Sequence, residues 1–222
     1  HTHLHETRHE IAESIKQYGV RPIQRLHTLG LLGPQLIAVH AIHLEAADID
    51  QLSRMGCHIA LCPTSNLKLG NGIPDINGIH QRGINFGLGT DGAASNNRLD
   101  IFQEMRLSAL LAKGVSENAT ALAAHQVLQA ATLHGARALG LDQQIGSLRP
   151  GKAADLCAVR LDHWMLQPCL DPASHLVYTA GRENVTHTWV AGKLQMQENR
   201  LSNIDVQQLL ANTNIWHNRL AC

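Results

Sequence analysis

Residues suited to metal binding and proton transfer recur at the ends of short apolar segments in this sequence. Histidine is the commonest metal ligand and a general acid or base near neutral pH, and carboxylates also move protons. The chain has 15 His but only 5 Cys, so its composition favours imidazole and carboxylate chemistry over a disulfide scaffold. The candidates, in chain order, are His3, His5, Glu6, His40, His43 and Asp91.

Several of these candidates also have an ordinary structural explanation. His1, His3 and His5 alternate, so in a strand they share one face, where they either converge on a metal or form a polar strand end. His40 ends an apolar segment and is either a functional group or a hydrogen-bonded core histidine. Asp91 lies in the tight sequence GTDG and is either a reactive carboxylate or a loop cap.

Apolar and amphipathic segments alternate along the first two-thirds of the chain and must position these side chains. After a short first strand at 1–5, strands are predicted at 36–40, 57–62 and 84–89. Helices are predicted at 8–17, 22–30, 45–55, 74–81, 99–113 and 119–139, and polar loops at 63–72 and 90–98. Four strands, each followed by a helix, indicate a parallel sheet with right-handed crossovers. The carboxyl edge of such a sheet would expose the strand-end residues to one cleft.

The last third of the chain has a different pattern. Residues 155–160, 184–190 and 193–197 are β-like and predict an antiparallel unit, and 206–220 predicts a terminal helix. Lys plus Arg and Asp plus Glu each number 18, and this balance argues against a nucleic-acid partner or an anionic membrane surface. With 44% hydrophobic residues and no apolar run of about 18, the sequence predicts neither disorder nor a membrane span.

The five cysteines are an odd number without a C-x-x-C pair. Cys57 and Cys62 have an odd separation in one predicted strand, so they point to opposite faces and cannot share a metal there. We expect buried free thiols in a reducing compartment, which favours the cytoplasm.

Four segments resemble the amidohydrolase superfamily: 3–7 (HLHET), 38–44 (AVHAIHL), 65–72 (SNLKLGNG) and 89–97 (GTDGAASNN). The last two resemble its branch of 5-methylthioadenosine/S-adenosylhomocysteine deaminases and related chlorohydrolases. Residues 146–156 (GSLRPGKAADL) resemble the segment where such chains leave the barrel for a small β-sandwich. The resemblance implies an α/β fold, a TIM barrel with a β-sandwich built from both chain ends.

The resemblance also implies a role for each strand-end residue. His3 closes strand five and is a metal ligand, and Glu6 lies near the substrate ring and moves a proton to a ring nitrogen. His40 closes strand six and contacts the reacting water or the substrate. Asp91 follows strand eight, ligates the metal and takes the proton from the water. A bound divalent metal lowers the pKa of water to about 7, and carboxylates near the water and the ring then move the protons.

The family carries a His-x-His pair on its first strand, and the spacing of the histidines indicates that His3 does not belong to that pair. His3 and His40 are 37 residues apart, about one β/α unit, and Asp91 comes two strands after His40. A first strand would need three more units before His40, so we place His3 on strand five. We therefore expect an N-terminus that was cut, or an earlier part of the protein that is absent from this chain. The predicted fold is the C-terminal half (strands 5–8) of a metal-dependent TIM barrel plus part of a β-sandwich appendix.

This interpretation divides the chain into three parts: 1–142 as half of the barrel, 143–200 as the appendix and 201–222 as a C-terminal helix. Ser95, Asn96 and Asn97 either position the substrate or orient Asp91, or they cap the helix near residue 99. Asn66 and Lys68 follow the third strand, where Asn66 could shape the pocket mouth and Lys68 is expected to be solvated.

The sequence thus predicts a metal-dependent aminohydrolase that converts 5-methylthioadenosine or S-adenosylhomocysteine to the inosine analogue plus ammonia. One divalent metal is expected, Zn²⁺ first, with Fe²⁺, Mn²⁺ or Ni²⁺ as alternatives, because His and carboxylate ligands suit several ions. The rivals are a guanine or triazine aminohydrolase or chlorohydrolase, and a non-catalytic half-barrel that needs a partner chain. The expected partners are a nucleoside and the N-terminal half of the same protein. A homo-oligomer is left open, because exposed barrel edges need cover.

Overall fold

Four short strands near the N-terminus pair in parallel, in the order β1-β2-β3-β4. The computed structural model describes residues 1–220. The strands are β1 (Thr2–Leu4), β2 (Ile37–His40), β3 (His58–Leu61) and β4 (Phe86–Leu88). Helices connect them, as parallel pairing requires, so the predicted α/β architecture is confirmed for this part of the chain.

All of the connecting helices except the fourth lie close to the predicted positions, and several have recognisable ends. The helices are α1 (Arg8–Tyr18), α2 (Pro22–Thr28), α3 (Ala46–Arg54), α4 (Pro63–Lys68), α5 (Ile76–Gln81) and α6 (Ile101–Ser116). The Thr7 side chain accepts a hydrogen bond from the Glu10 backbone N–H at the start of α1, and Gly19 ends this helix in the left-handed region at φ 74°. Asp100 caps the start of α6 in a similar way.

The core lies between the parallel sheet and its helices and is mainly aliphatic, as the 3% aromatic content predicts. All four residues of β2 are buried, which fits a strand covered on both faces. Ile59, Leu61 and Phe86 from the neighbouring strands pack with Leu52 of α3 and Met105 of α6. Burial of this apolar surface fixes which face of each strand meets the helices.

The prediction of a polar loop at 63–72 is wrong in its first half. Residues Pro63–Lys68 form α4, with Pro63 in the first turn, where its fixed φ and missing N–H are favourable. Ser65 and Asn66 are buried, although their side chains are polar. Polarity alone predicted a loop here because it cannot distinguish a solvated segment from one that faces a buried polar site.

The predicted helix at 119–139 is two helices, α7 (Ala124–Ala130) and α8 (Leu133–Ala138). They are separated at Thr132, whose backbone leaves the helical region at φ −130° and ψ −93°. The Thr132 hydroxyl donates to the Leu128 carbonyl at 2.7 Å, a bond of the type that bends helices. The break lets Gly135 of α8 approach Gly87 of β4 so closely that a Cβ on Gly87 would lie 3.0 Å from the Gly135 Cα.

The last third forms an antiparallel sheet, as predicted: β5 (Leu156–Val159), β6 (Val185–Val190), β7 (Lys193–Gln197) and β8 (Arg200–Leu201). Helix α10 (Val206–Leu220) follows and is exposed. The sequence pattern missed β8 and helix α9 (Pro172–Tyr178), which packs against α6 and α7. Among residues 1–220, no helix combines the length and the apolar character that crossing a membrane requires.

The cysteines agree in part with the expectation of buried thiols. Cys57 and Cys62 are buried and free; Cys57 directly precedes β3 in the chain and Cys62 directly follows it. Cys157 is exposed and Cys169 partly so, and Cys222 lies outside the described residues.

The close approach of β4 and α8 generates a stability prediction. Gly87→Ala should lower the free energy of unfolding by about 1–3 kcal/mol, because the added methyl group meets backbone, which cannot rotate away. Gly114→Ala is the matched control. Its Cβ would meet nothing within 4 Å in helix α6, so the free energy of unfolding should rise by about 0.5–1 kcal/mol. Urea denaturation of both variants measures the difference; equal stabilities would contradict the close packing.

Candidate functional site

The carboxyl ends of the four parallel strands lie along one edge of the sheet. Leu4 at the end of β1 pairs with His40 at the end of β2, and Leu61 of β3 pairs with Leu88 of β4. Residues that directly follow these ends are therefore neighbours in space, although up to about 90 positions separate them in the sequence. Asp91 belongs to the loop after β4.

His3, Glu6 and His40 form a cluster in which one ligand atom from each lies within 4.8 Å of the others. His3 Nδ1 is 3.2 Å from Glu6 Oε2, and His40 Nε2 is 3.7 Å from Glu6 Oε1. The two imidazole rings meet edge to face, with centroids 4.6 Å apart. Two imidazoles and a carboxylate are a donor set that suits a divalent metal. Asp91 is not a member of this group within the described part of the chain.

His40 is fully buried and uses its two ring nitrogens differently. Nδ1 is 2.8 Å from Oδ1 of Asn66, which is also buried. Nε2 is buried too, and nothing in residues 1–220 forms a hydrogen bond with it. The backbone of His40 adopts φ 72°, a costly conformation for a residue with a Cβ, and such strain clusters at functional sites.

Glu6 is held at both its backbone and its side chain. The Asn71 amide donates to Glu6 Oε1 at 2.9 Å. The Glu10 carboxylate accepts the backbone N–H groups of His5 at 2.9 Å and of Glu6 at 2.7 Å. The turn between β1 and α1 is therefore fixed by the first turn of the helix that follows it, so Glu6 reaches His3 and His40 from a defined position.

Asp91 receives two hydrogen bonds on the same carboxylate oxygen. Ser65 Oγ donates to Oδ2 at 2.6 Å and Ser95 Oγ donates at 2.9 Å. Burial by itself raises the pKa of this carboxyl, but the bonds from the two serines and the Gly92 backbone, together with the nearby His40, lower the pKa below its usual value. The group is thus a carboxylate near neutral pH. Its backbone, like that of His40, has a positive φ, at 58°.

The thiol of Cys62 lies near the carboxylates of Asp91 and Glu104 but remains protonated. Burial, first of all, and the negative charges of Asp91 and Glu104 raise the pKa of its thiol to about 12. A thiol with this pKa is neither a nucleophile nor a thiolate ligand at neutral pH, which agrees with the expected inert, buried cysteine.

His5 does not join the cluster, contrary to the open expectation that alternating histidines converge. It is fully buried, and the Ile23 backbone N–H donates to its Nε2 at 3.3 Å. Its Nδ1 is 3.2 Å from the His43 carbonyl, and burial lowers the pKa of the ring, so the imidazole is neutral. The structural explanation therefore holds for His5.

An ion pair beneath the strand ends completes the surroundings of His5. The Arg21 guanidinium donates to the buried Asp48 carboxylate at 2.7 Å and to the His43 carbonyl at 2.8 Å. Asp48 also accepts the Glu45 backbone N–H at 2.9 Å, as part of the capping box of α3. These contacts hold the turn after β2 and the start of α3 against the segment between α1 and α2.

Sequence reasoning missed Glu104, a buried carboxylate on α6. It accepts the Thr64 backbone N–H at 3.0 Å and the Asn96 amide at 2.7 Å. Thr64 and Asn96 are the chain neighbours of Ser65 and Ser95, so Glu104 holds both serine donors of Asp91. A charged residue among the buried positions of a largely apolar helix face is the signal that could have identified it.

The open alternatives for the loop after β4 are decided residue by residue. Ser95 orients Asp91, whereas the Asn96 side chain accepts the backbone N–H groups of Arg98 and Leu99 just before α6. Asn97 accepts from Lys68, whose Nζ also donates to the Ala94 carbonyl, so Lys68 is not simply solvated. Lys68 therefore ties α4 to the loop that carries Asp91.

Comparison with known proteins agrees with this arrangement. The model of the amidohydrolase family matches residues 1–195. The chain belongs to the amidohydrolase family. A curated relative of this amidohydrolase chain, the 5-methylthioadenosine/S-adenosylhomocysteine deaminase of Teredinibacter turnerae, is 44% identical over 220 residues. That alignment covers 99% of the chain and 50% of the relative.

Two solved structures resemble this amidohydrolase chain closely. An adenosine deaminase from Xanthomonas campestris with bound zinc matches with a TM-score of 0.96 and 46% identity, over 99% of this chain and 50% of that one. The zinc complex of atrazine chlorohydrolase from Arthrobacter aurescens matches with a TM-score of 0.90 and 29% identity, over 97% and 48%. The chain thus spans about half the length of its relatives. The resemblance to the superfamily and to its deaminase branch is confirmed.

The hydrogen bonds of Glu104 generate a stability prediction. Glu104→Gln should lower the free energy of unfolding by about 1–3 kcal/mol, because the new amide must face one of two donors, the Thr64 N–H or the Asn96 amide. Glu117→Gln makes the same change at an exposed position and should stay within about 0.5 kcal/mol of the wild type. Chemical denaturation of both variants decides; a Glu104→Gln protein as stable as the control would show that the bridge is not needed.

Proposed function

We propose that this chain is the C-terminal half of a metal-dependent aminohydrolase that deaminates an adenine-type nucleoside. The substrate class is 5-methylthioadenosine or S-adenosylhomocysteine, and the products are the inosine analogue and ammonia. The observation that carries the proposal is the cluster of His3, Glu6 and the buried His40, whose Nε2 makes no hydrogen bond in the described chain, with Asp91 at the same edge of the sheet. The activity of the 44% identical relative supports this substrate class.

Strand count and length support the proposed half-barrel. Four parallel strands are half of an eight-stranded barrel, and the chain covers about half of each relative described above. We assign β1 to β4 to strands 5–8, residues 1–142 to the barrel, 143–200 to the β-sandwich appendix and 201–222 to the C-terminal helix. The remaining strands, with further ligands, would come from the N-terminal half of the same protein.

The residues present fit a divalent metal, with zinc as our first choice. A buried imidazole nitrogen without a hydrogen bond is costly unless something binds it, and His40 Nε2 lies 3.7 Å from Glu6 Oε1 in the cluster that includes His3. We propose that His3 and Asp91 are ligands, with His40 and Glu6 beside the same ion. When bound, the ion supplies a water of lowered pKa. Zinc in the two structural neighbours supports this choice of metal.

The side chains supply the proton transfers that deamination needs. Water adds to the ring carbon that bears the amino group, and the Asp91 carboxylate takes a proton from that water. Glu6 delivers a proton to the adjacent ring nitrogen, and its bond from Asn71 keeps it in place. His40 contacts the water or the substrate through Nε2. The amino group then takes the proton held by Asp91 and leaves as ammonia. The hydroxyl that came from the water returns its proton to Glu6, so the ring becomes a lactam.

A second candidate keeps the site and changes the ring, because the chain also resembles a triazine chlorohydrolase. The identity of 29% to that enzyme, against 46% to the adenosine deaminase, favours the nucleoside. A candidate from another class is a non-catalytic half-barrel that completes a partner chain. Exposed strand edges would favour this non-catalytic half-barrel, whereas the metal-binding cluster argues against it, because a non-catalytic protein has no need of such a cluster.

Turnover by the full-length protein tests the reaction and its substrate. We expect ammonia release from 5-methylthioadenosine or S-adenosylhomocysteine, and none from guanine or an aminotriazine at comparable rates. Asp91→Asn should lower kcat by at least about 10²–10⁴-fold, because the amide cannot accept the proton. Asp162→Asn, at a side chain that is 86% exposed, should leave kcat unchanged. Wild-type kcat in Asp91→Asn would overturn the assignment of Asp91, and faster turnover of a triazine would favour the second candidate.

Metal content tests the metal site separately. The full-length protein should hold about one zinc per chain, and His3→Ala should lower this content, because it removes one donor of the cluster. His163→Ala, at a histidine outside the cluster, is the control and should retain the metal. Elemental analysis after dialysis gives the ratio. A full-length protein free of zinc and of the alternative divalent ions, even after reconstitution, would favour the non-catalytic candidate.

A further inference from the structure

The proposed site consists of His3, Glu6, His40 and Asp91. Helix α4 and the turn after it contact the last three of these residues. Ser65 donates to Asp91, Asn66 meets His40, and Asn71 donates to Glu6. The segment 65–71 is also closed on itself, because the Asn71 backbone N–H donates to the Asn66 carbonyl at 2.9 Å. The Asn66 backbone N–H donates in turn to the Cys62 carbonyl at 3.0 Å. Asn66 therefore lies at the centre of a fixed turn, and its side chain has little freedom.

The contact between Asn66 and His40 is short, buried and specific in its atoms. Asn66 Oδ1 lies 2.8 Å from His40 Nδ1, and the two residues are 1% and 0% exposed. An amide oxygen only accepts hydrogen bonds, so the ring nitrogen opposite must carry the proton. A neutral imidazole has one N–H, so a proton on Nδ1 leaves Nε2 with a lone pair. That nitrogen is the one that faces Glu6 at 3.7 Å.

We propose that Asn66 is a positioning residue that holds His40 in the Nδ1–H tautomer, so that the Nε2 lone pair points into the site. The lone pair can then accept a proton or a metal, whereas an Nε2–H could only donate. A histidine that acts through one ring nitrogen commonly has the other fixed by a hydrogen bond in this way. The tautomer rests on the contact alone, and its consequence for turnover rests on the proposed deaminase function.

The side-chain amide of Asn66 gives the proposal a clear alternative. Rotated by 180° about its last bond, Asn66 would present Nδ2 to His40 Nδ1 and would force the proton onto Nε2. In the orientation observed, Asn66 Nδ2 has no hydrogen-bond partner in the described chain. The two orientations therefore differ in the position of one proton, which a spectrum can locate.

Nitrogen-15 NMR of the histidine rings in the zinc-loaded full-length protein tests the tautomer. The His40 signals are identified by their loss in His40→Gln. We expect a protonated Nδ1 and an unprotonated Nε2 in the wild type. Asn66→Asp keeps an acceptor at the same place and should keep this tautomer, whereas Asn66→Ala should lose it. Asn77→Ala, in helix α5, is the control and should change nothing. An Nε2–H signal for His40 in the wild type would overturn the proposal, and this measurement needs no variant of Asn66 to fold.

Kinetics of the same variants test the consequence. Asn66→Ala should lower kcat by about 10–100-fold with a smaller change in KM, and Asn66→Asp should restore part of the loss. Asn66→Ala with the wild-type tautomer and the wild-type kcat would overturn the positioning role. A protein that lacks deaminase activity, yet loses the Nδ1–H tautomer only in Asn66→Ala, supports the positioning role and contradicts the proposed function alone.

Discussion

Parallel pairing of four short strands is the constraint on which the rest of the site depends. Because the strands run in the same direction, residues that follow them meet at one edge, and the pairing of Leu4 with His40 sets the level of the first two. A register shift of one residue would turn His40 away from Glu6, since successive side chains of a strand point to opposite faces. The aliphatic core holds the register, because any shift would expose buried side chains of β2 and β3. Packing of the apolar core thus determines where the residues of the site lie, independently of their polar contacts.

Buried hydrogen bonds then determine the orientation of each group that packing has brought near. Glu104 holds the neighbours of both serines that bond to Asp91, Glu10 holds the backbone of Glu6, and Asn66 meets His40. A buried polar group left without its partner costs about 1–3 kcal/mol, so each of these contacts resists change. The positive φ values at His40 and Asp91 are maintained by the same surroundings. These contacts hold the side chains at the strand ends in defined positions.

The elements and their order were largely predictable from the sequence. Apolar runs of four to six residues predicted β2 and β3, and amphipathic spacing with a following glycine predicted α3. Helices α1 and α6 lie within about three residues of their predicted bounds, although their capping residues were not identified from the sequence. Prediction from the sequence was wrong where the conformation that a local segment favours differs from the one that tertiary packing requires. Polar residues at 63–68 form a buried helix, and the Ala-rich segment breaks at Thr132 so that α8 can approach β4. Neither outcome is visible in a window of ten residues, because the partner that decides it comes from elsewhere in the chain.

The sequence by itself determined which residue types stand at the strand ends and which family they belong to, because strand ends and motifs are local patterns. The resemblance pointed to His3, but the alternation of His3 and His5 left the position of His5 undecided, and the tertiary structure settled it. His5 is drawn into the core beside Arg21 and Asp48, and His3 stays with Glu6 and His40. The bonds of Asn66 to His40, of Ser65 to Asp91 and of Glu104 to Thr64 join residues 26, 26 and 40 positions apart. Contacts over such separations depend on how the helices dock on the sheet, and the spacing of side chains along the chain does not predict that docking.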